Sequence, residues 1–257
     1  MEHKVTGSIV TYNNINTIDR TIETLFEFTK DIDFMLYVVD NVSTDGTDEY
    51  IEKVKKEKDY PIELIRMEKN IGFGAGHNAA IKRADSEYHA VINPDIVLIE
   101  NAVKEMADFM DENKDIGLLS PRICFPSGRD QILGKRNPHF KYLVASRLRG
   151  EEPGKLLREY AMLDRDLTKP TDIENATGCF MLFRTDVLRE IGGFDERYFM
   201  YFEDADITRE VRKVSRAVYY PDATVSHVWA RDSKRNTKLM MIHIQSMLKY
   251  YAKWKTI

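Results

Sequence analysis

The sequence predicts an α/β fold with a mainly parallel central sheet flanked by helices. Short apolar segments of strand character alternate with amphipathic segments of helical spacing, and this alternation favours parallel strands joined by helices on both faces. Polar loops also follow the first, second and fourth predicted strands. The carboxyl ends of parallel strands meet at one edge of a sheet, and folds of this class bind their ligands there.

The first half of the chain supplies the regular part of this pattern. Apolar, β-branched segments predict five strands, at 5–10, 34–40, 61–67, 87–93 and 115–125. Helical spacing of apolar residues, as in Ile18, Ile22 and Leu25, predicts helices between these strands. These helices lie at 16–30, 45–58, 71–83 and 100–112.

The second half is less regular. Strand character returns at 178–184 and 216–221, and helical spacing at 204–213 and 233–255. Residues 127–173 are polar and charged, which leaves a helical insert and a mobile loop as open alternatives.

Composition excludes several classes of protein. The chain has 257 residues, of which 43% are hydrophobic, and this is enough for one large domain. A formal net charge of −4 argues against a nucleic-acid partner, because such proteins are usually basic. Cys124 and Cys179 have neither metal-site nor disulfide spacing. There is no run of 18 apolar residues and no signal-peptide pattern, so we expect a cytoplasmic protein.

Two strand-end loops carry carboxylates. Asp40 opens DNVSTDGT (40–47), where it could bind a base or a ribose, although the same residues also favour a turn and a helix cap. Asp95 closes VINPD (91–95) after a buried strand, where an unpaired carboxylate is costly. A divalent cation, Mg²⁺ or Mn²⁺, bridging to phosphate would be a partner for Asp95. The alternative for this loop is an Asx-Pro turn.

A glycine-rich loop, NIGFGAGHN (70–78), follows the third strand. Its glycines allow close backbone approach, and the helix that follows offers free N–H groups to a diphosphate. The spacing is not that of a dinucleotide fingerprint. Anion binding and a purely structural role are both open for this loop.

The segment YFMYFEDADI (198–207) places three carboxylates after five aromatic and methionine residues. Acids in a first helical turn complement the helix dipole, which is the simpler interpretation. The other interpretation is an acid–base site walled by aromatic rings. His227 could be a ligand near a strand end or a structural histidine, and the nearby Trp229 and Arg231 suit the rim of a site.

These motifs, in order, resemble those of family 2 inverting glycosyltransferases, which have the GT-A fold. The resemblance is carried by TYNN, VVDNVSTDGT, NIGFGAGHN, NPD, GCFMLFR, GGFDERYFMYFEDADI and SHVW, which together extend over residues 5–250. The form of the last motifs is most similar to bacterial rhamnosyltransferases of cell-wall and surface polysaccharide synthesis, which use a dTDP-linked sugar.

The resemblance implies roles at matching positions. Asp204 matches the catalytic base, with Glu203 beside it. Asn93 and Asp95 occupy the place of the family's Asp-x-Asp, so that Asp95 alone carries the metal from that loop and His227 completes the metal site. The positions implied for the nucleotide-sugar are Thr11, Tyr12, Asn13, Asp40, Asn41, Asn70, Gly72, Gly76, Asn78 and Asn93.

The resemblance also implies partners and an organisation. Residues 1–125 would bind the nucleotide-sugar donor, dTDP- or UDP-linked, and residues 126–257 would bind a saccharide or polyprenyl-diphosphate-linked acceptor. The C-terminal helix carries an apolar stripe, for which core packing is the simpler interpretation; the stripe consists of Met240, Ile244, Met247, Tyr251 and Trp254. The helix could instead contact the inner face of the membrane, because residues 231–255 also hold seven cations. These cations are Arg231, Lys234, Arg235, Lys238, Lys249, Lys253 and Lys255.

Two other functions fit a similar sheet. A nucleotidyltransferase would carry a basic, glycine-rich loop near the first strand, and TYNNINTIDR has neither glycine nor lysine. A non-catalytic module that binds a sugar or a nucleotide would not need Asp204 near the anomeric carbon.

Overall fold

A computed structural model describes residues 1–147, 153–228 and 237–255. The strands in these residues are β1 His3–Thr11, β2 Phe34–Asp40, β3 Ile62–Arg66, β4 Ser86–Ile92, β5 Ile96–Leu98, β6 Ile116–Cys124, β7 Thr171–Asp172, β8 Phe180–Arg184 and β9 Arg216–His227. The helices are α1 Ile15–Phe28, α2 Thr47–Lys58, α3 Phe73–Ile81, α4 Ala102–Glu112, α5 Phe140–Arg147, α6 Lys155–Tyr160, α7 Thr185–Ile191, α8 Glu203–Val214 and α9 Thr237–Trp254.

All the strands in the described ranges belong to one mostly parallel sheet, as predicted. Its order is β3-β2-β1-β4-β8-β6-β9-β5, and β7 pairs with β9 outside this path. Parallel pairing joins β3, β2, β1 and β4, and also β6 with β9. Strand β8 runs antiparallel between β4 and β6, so its first residues lie at the edge where β4 ends.

Helices cover both faces of the sheet. On one face, α1, α2 and α4 pack on the apolar side chains of β1, β2 and β4 through residues such as Ile18, Ile51 and Met106. On the other face, α7 and α8 pack on β6, β8 and β9 through residues such as Leu188 and Ile207. The strands are apolar almost throughout because both of their faces are buried.

Strand β9 is longer than the sequence predicted. We expected it to end at Pro221, but it continues to His227. Its pairing with β6 shifts register between Pro121 and Arg122, so residues 221–223 form a bulge and the strand resumes at Thr224. A proline is tolerated at such a bulge because no ladder hydrogen bond is needed there.

The polar insert is partly helical. Helices α5 and α6 lie within residues 127–173, and residues 148–152 lie outside the described ranges. The short elements β5, β7 and α7 were also not predicted, because two to seven residues carry too little periodicity.

The C-terminal helix packs along only part of its length. Tyr250 is buried against Phe202 and Tyr198, and Trp254 lies at the edge of the same cluster. Met240 and Ile244, which the predicted stripe included, are each 39% exposed. Among the described residues, no helix is both long enough and apolar enough to cross a membrane.

Candidate active site

The carboxyl ends of β1, β2 and β4 lie side by side. Thr11 pairs in register with Asp40, and Ile9 pairs with Ile92 across β1 and β4. The loops that follow Thr11, Asp40 and Ile92 therefore leave the sheet at one edge, as the sequence predicted.

The first two loops are joined by hydrogen bonds around Asp40. The buried Asp40 carboxylate accepts a hydrogen bond from the Thr11 hydroxyl at 3.0 Å and another from the Ser43 N–H at 3.0 Å. Asn13 accepts a hydrogen bond from the Thr44 N–H at 2.8 Å. Tyr12 is 54% exposed beside them. This arrangement offers an exposed ring for stacking and a fixed carboxylate that can still accept a hydrogen bond from a base or a ribose.

The glycine loop is tied to the end of β2. The Asn41 side chain donates to the Gly72 carbonyl at 3.2 Å and accepts from the Ile71 N–H at 3.3 Å. Asn70 accepts from the Gly72 N–H at 3.0 Å. Gly72 has φ of 89°, and a Cβ at this position would lie 2.2 Å from the Phe199 carbonyl oxygen. The loop therefore requires glycine at position 72 and lies against the aromatic segment that precedes α8.

Gly76 and Asn78 make internal contacts instead of facing the edge. A Cβ on Gly76 would lie 2.8 Å from the Val10 side chain, so glycine allows α3 to approach β1 closely. The buried Asn78 amide donates to the Phe194 carbonyl at 2.8 Å and accepts from the Phe194 N–H at 2.8 Å. The structure thus does not bring these two residues into the predicted nucleotide pocket; Asn78 instead holds the segment that leads to the carboxylates.

Asp95 and His227 lie together at the same edge. The Asp95 Oδ2 is 3.3 Å from His227 Nε2, and Gln131 Oε1 lies 3.2 Å from His227 Nδ1. Burial alone would lower the pKa of His227, but its contacts with Asp95 and Cys179 raise that pKa to about 10. These contacts, one at each ring nitrogen, fix the imidazole so that Nε2 faces the Asp95 carboxylate.

The Asp95–His227 pair fits a divalent cation that is also held by phosphate. Asp95 Oδ1 is buried and has no hydrogen-bond partner within the described residues. No group of three or more His, Cys, Asp or Glu side chains that could hold a metal occurs in the described ranges. The protein would therefore supply one carboxylate and one imidazole, and the cation would replace the proton on His227 Nε2 that faces Asp95. Mg²⁺ or Mn²⁺ sites of this kind complete their shells with substrate phosphates and water. Asn93 beside them donates its N–H to the Cys179 carbonyl at 2.9 Å.

Asp204 and Glu203 form the first turn of α8, and their environments differ. Asp204 is half-buried and accepts N–H hydrogen bonds from Ala205 at 2.8 Å and Gly178 at 3.2 Å. Glu203 is buried, and its Oε2 has no partner among the described residues. Burial and the neighbouring Asp204 charge raise the pKa of Glu203 to about 8. Burial raises the pKa of Asp204 as well, but the two N–H donors stabilise its carboxylate. Glu203 therefore holds the proton of the pair more tightly than Asp204 does.

The backbone is strained immediately before these carboxylates. Tyr201 and Phe202 both have left-handed conformations, with φ of 72° and 68°. Residues other than glycine rarely adopt this conformation, and strain of this kind is typical of functional sites. Helix α9 holds the strained turn, because Ser246 donates to the Met200 carbonyl at 2.8 Å and Tyr250 packs on Phe202.

One dipeptide connects the two halves of the site. Gly178 donates its N–H to Asp204. The next residue, Cys179, accepts the Asn93 N–H through its carbonyl and contacts His227 through its thiol. Asp204 and His227 thus contact the adjacent residues Gly178 and Cys179, at the edge of the sheet where Thr11 and Asp40 also lie.

The family comparison agrees with this geometry. The family model described as Glycosyl transferase family 2 matches residues 8–192, which is more than half of the chain. The chain belongs to glycosyl transferase family 2. The match ends before Asp204 and His227, so the roles of these two residues depend on the structure and on the sequence motifs.

This glycosyltransferase is similar in sequence to two curated rhamnosyltransferases. It is 27% identical over 228 residues to the N-acetylglucosaminyl-diphospho-decaprenol L-rhamnosyltransferase of Mycobacterium tuberculosis, covering 77% of this chain and 68% of the relative. It is 25% identical to the rhamnosyltransferase WbbL of Escherichia coli K12, covering 71% of this chain and 70% of the relative.

The solved structures confirm the fold. The structure of GalNAc-T7 with UDP, GalNAc and Mn²⁺ matches with a TM-score of 0.70 at 14% identity, covering 91% of this chain and 45% of that chain. The fold is the GT-A glycosyltransferase fold that the sequence resemblance implied.

Sequence reasoning missed several residues that position this glycosyltransferase site. Gln131 orients His227 and has no local signal, because it acts across the chain. Residues 178–179 belong to the motif GCFMLFR, but the motif does not show that they contact Asp204 and His227. Asp206 shares the acidic run with Asp204, but it is buried and accepts hydrogen bonds from Lys253 and Trp254, both at 2.7 Å. Asp206, the third carboxylate of the segment YFMYFEDADI, thus anchors α9.

Proposed function

We propose that this family 2 enzyme transfers a sugar from a nucleotide donor to a saccharide or lipid-linked saccharide acceptor with inversion at the anomeric carbon. The observation that supports the proposal is that Asp204 contacts Gly178, while Asn93 and His227 contact the next residue, Cys179. Residues 1–125 would hold the donor, and residues 126–257 would supply the base and the acceptor side.

Asp204 and Glu203 have different roles in the proposed reaction. The Asp204 carboxylate takes the proton of the acceptor hydroxyl as that oxygen forms a bond to the sugar C1. The bond from C1 to the diphosphate oxygen breaks on the opposite face, and its electron pair leaves with the nucleoside diphosphate. Glu203 stays protonated, which keeps a second negative charge away from Asp204. Attack opposite the leaving group inverts the configuration at C1.

The loops of the first half would bind the donor, together with His227 from the second half. Thr11 and Asp40 would bind the nucleoside with Tyr12 against the base, and Asp95 with His227 would hold Mg²⁺ or Mn²⁺. When bound, that cation neutralises charge on the departing diphosphate. The hydrogen bonds of Asn13 and Asn41 hold these loops together, so the shape of the nucleoside pocket would be fixed before the donor binds.

The donor we propose is dTDP-L-rhamnose, used in cell-wall or surface polysaccharide synthesis. The two rhamnosyltransferases among the relatives support this choice. A thermal-shift screen of dTDP-, UDP- and GDP-sugars with and without Mn²⁺ tests it, since a ligand that binds only the folded state raises the melting temperature. The largest shift should come from the dTDP-sugar; a larger shift from a UDP-sugar would replace rhamnose by another donor.

Membrane contact through α9 would suit a lipid-linked acceptor. Met240, Met241, Ile244 and Leu248 leave this helix with an exposed apolar face, 39–60% accessible at each residue. Two of the predicted surface cations make contacts within the protein: the exposed Lys249 donates to the Arg197 carbonyl, and Lys253 pairs with the buried Asp206. Arg231, Lys234 and Arg235, like Trp229, lie outside the described residues. Cosedimentation with anionic phospholipid vesicles tests this contact, and protein that stays in the supernatant excludes it.

The Asp204→Asn variant tests the base. We expect it to keep its nucleotide affinity and to lose about 10²–10⁴-fold in turnover, the contribution typical of a general base. Nucleoside diphosphate release from the donor in the presence of an acceptor panel measures this loss.

Asp186→Asn is the matched control. Asp186 occupies the first turn of α7, and its Oδ1 accepts a hydrogen bond from the next N–H at 2.8 Å, just as Asp204 does in α8. If Asp204 only caps its helix, both variants should behave alike. Wild-type turnover in Asp204→Asn would remove Asp204 from the mechanism.

A further inference from the structure

A cavity of about 460 Å³ lies on the same face of the sheet as α8. Its floor is formed by β6 and β9, and its walls by residues 130–135, 161–168 and 175–177. This volume is in the range of small-molecule sites. The sequence analysis assigned no function to this region beyond the acceptor half.

The cavity contains a lysine without an acidic partner. Lys135 lines it, and its ammonium lies 4.4 Å from the centre of the Tyr219 ring. Among the described residues, no carboxylate lies within ion-pair distance of Lys135. Burial lowers the pKa of Lys135 to about 8, and the charge of Asp130 opposes this shift only in part.

The other charged residues of the cavity do not neutralise Lys135. Asp130 is paired with Arg122 at 2.7 Å. Asp222 is exposed at the rim. Lys135 is therefore a cation of the cavity that forms no ion pair within the described residues.

The cavity also offers groups that suit a sugar. The amide of Asn175 donates to the Gly134 carbonyl at 2.9 Å and leaves its Oδ1 without a partner within the described residues. Thr168 and Thr177 add hydroxyl groups, and Leu133 adds apolar surface. A hydroxylated ring with one anionic substituent matches this lining.

Three contacts join the cavity to the candidate active site. Thr177 lines the cavity, and the next residue, Gly178, donates its N–H to Asp204. Gln131 lines it as well and contacts His227. Lys135 donates its backbone N–H to the carbonyl of Tyr160 at 2.9 Å. Tyr160 in turn lies near Asp204, because burial and the charge of Asp204 both raise the pKa of the Tyr160 phenol.

We propose that this cavity is the part of the acceptor site that holds an anionic group of the acceptor saccharide, a phosphoryl or a carboxylate group, against the Lys135 ammonium. The inference rests on the proposed function, because it places the acceptor on the Asp204 side. It adds the chemical class of the acceptor: a charged saccharide and not a neutral one.

Binding of matched probes to the full chain tests this proposal. Glucose 1-phosphate and glucuronate carry the two anionic groups, and methyl glucoside is the neutral reference. Isothermal titration is carried out with and without the nucleoside diphosphate and Mn²⁺ that fill the donor site. We expect one charged probe to bind about tenfold more tightly than methyl glucoside, as a charge-assisted hydrogen bond would give, and the preferred probe distinguishes phosphoryl from carboxylate.

Variants locate the binding. Lys135→Met keeps a stem that can lie on Tyr219 and removes the charge, so it should lose the preference, whereas Lys135→Arg should retain it. The control is Lys30→Met, an exposed lysine after α1, which should bind as the wild type does. Equal binding of charged and neutral probes by the wild type, no binding of any probe, or an unchanged preference in Lys135→Met would each overturn the proposal.

The two proposals fail separately. Stabilisation by nucleotide is recorded on the same samples. If neither the wild type nor any variant is stabilised by nucleotide, the proposed transferase function fails. A Lys135-dependent preference for the anionic probes would still establish the cavity as an anion site.

Discussion

At the scale of residues, the site depends on how two adjacent carboxyl groups share one proton. Glu203 is buried with an unpartnered oxygen, whereas Asp204 is half-buried with two N–H donors. Carboxyl groups this close cannot both ionise easily, and the better-solvated member carries the charge. The same contrast in environment supports our proposal that Asp204 is the base, an assignment that the sequence made through the family resemblance.

Glu203→Gln should therefore be a mild change for catalysis and a visible one for stability. The pKa of Glu203 is raised in the folded state to about 8 from an ordinary 4.5. Its favourable contribution is complete below pH 4.5 and is lost as the pH rises toward 8, by on the order of 1 kcal/mol per pH unit. Over this range Glu203→Gln should gain stability relative to the wild type and should keep most of its turnover.

Denaturant unfolding between pH 4.5 and 8 measures this difference, with the exposed Glu190→Gln as the control. The control should track the wild type throughout. A constant difference between Glu203→Gln and the wild type would show that Glu203 is ionised at all these pH values.

At the scale of elements, α9 is fastened to α8 by a buried ion pair. Asp206 is 1% exposed and accepts hydrogen bonds from Lys253 and Trp254. Lys253 also pairs with Asp195 at 3.2 Å and with Glu210 at 2.9 Å. The same helix supports the strained turn at Tyr201 and Phe202, so this fastening also supports the placement of Asp204.

Asp206→Asn should destabilise the protein and reduce turnover together. Breaking a buried pair leaves a charge without its partner and costs on the order of 3 kcal/mol. Asp108→Asn, which breaks an exposed pair with Lys104 on α4, is the control and should leave the free energy of unfolding nearly unchanged. Thermal and denaturant unfolding measure both variants, and equal stabilities would show that Lys253 is satisfied by Asp195 and Glu210 alone.

At the scale of the whole molecule, the sequence predicted what local patterns determine. Strands β1, β2 and β4 and helix α1 were predicted within two residues of their observed ends, because their apolar periodicity is local and strong. The convergence of Thr11, Asp40 and Asn93 followed from parallel topology alone.

The remaining features depend on contacts between distant residues. The Asn78–Phe194 link, the Gln131–His227 contact and the Asp206–Lys253 pair each join segments 47 to 116 residues apart. Periodicity does not report such pairings, so the sequence assigned Gly76 and Asn78 to the nucleotide pocket and Lys253 to a surface. The continuation of β9 past Pro221 depended likewise on a bulge in its pairing with β6.

Paramagnetic broadening by Mn²⁺ tests whether Asp204 and the Asp95–His227 pair face the same sugar. Carbon-13 labelled aspartate is observed by NMR as Mn²⁺ and nucleoside diphosphate are added, with Asp204→Asn assigning the Asp204 carboxyl signal. Asp186 follows β8 at the opposite edge of the sheet and serves as the distant reference. Strong broadening of the Asp204 signal with a sharp Asp186 signal is the predicted result. A sharp Asp204 signal at saturating Mn²⁺ would contradict the account, because the base and the metal would then lie in separate sites.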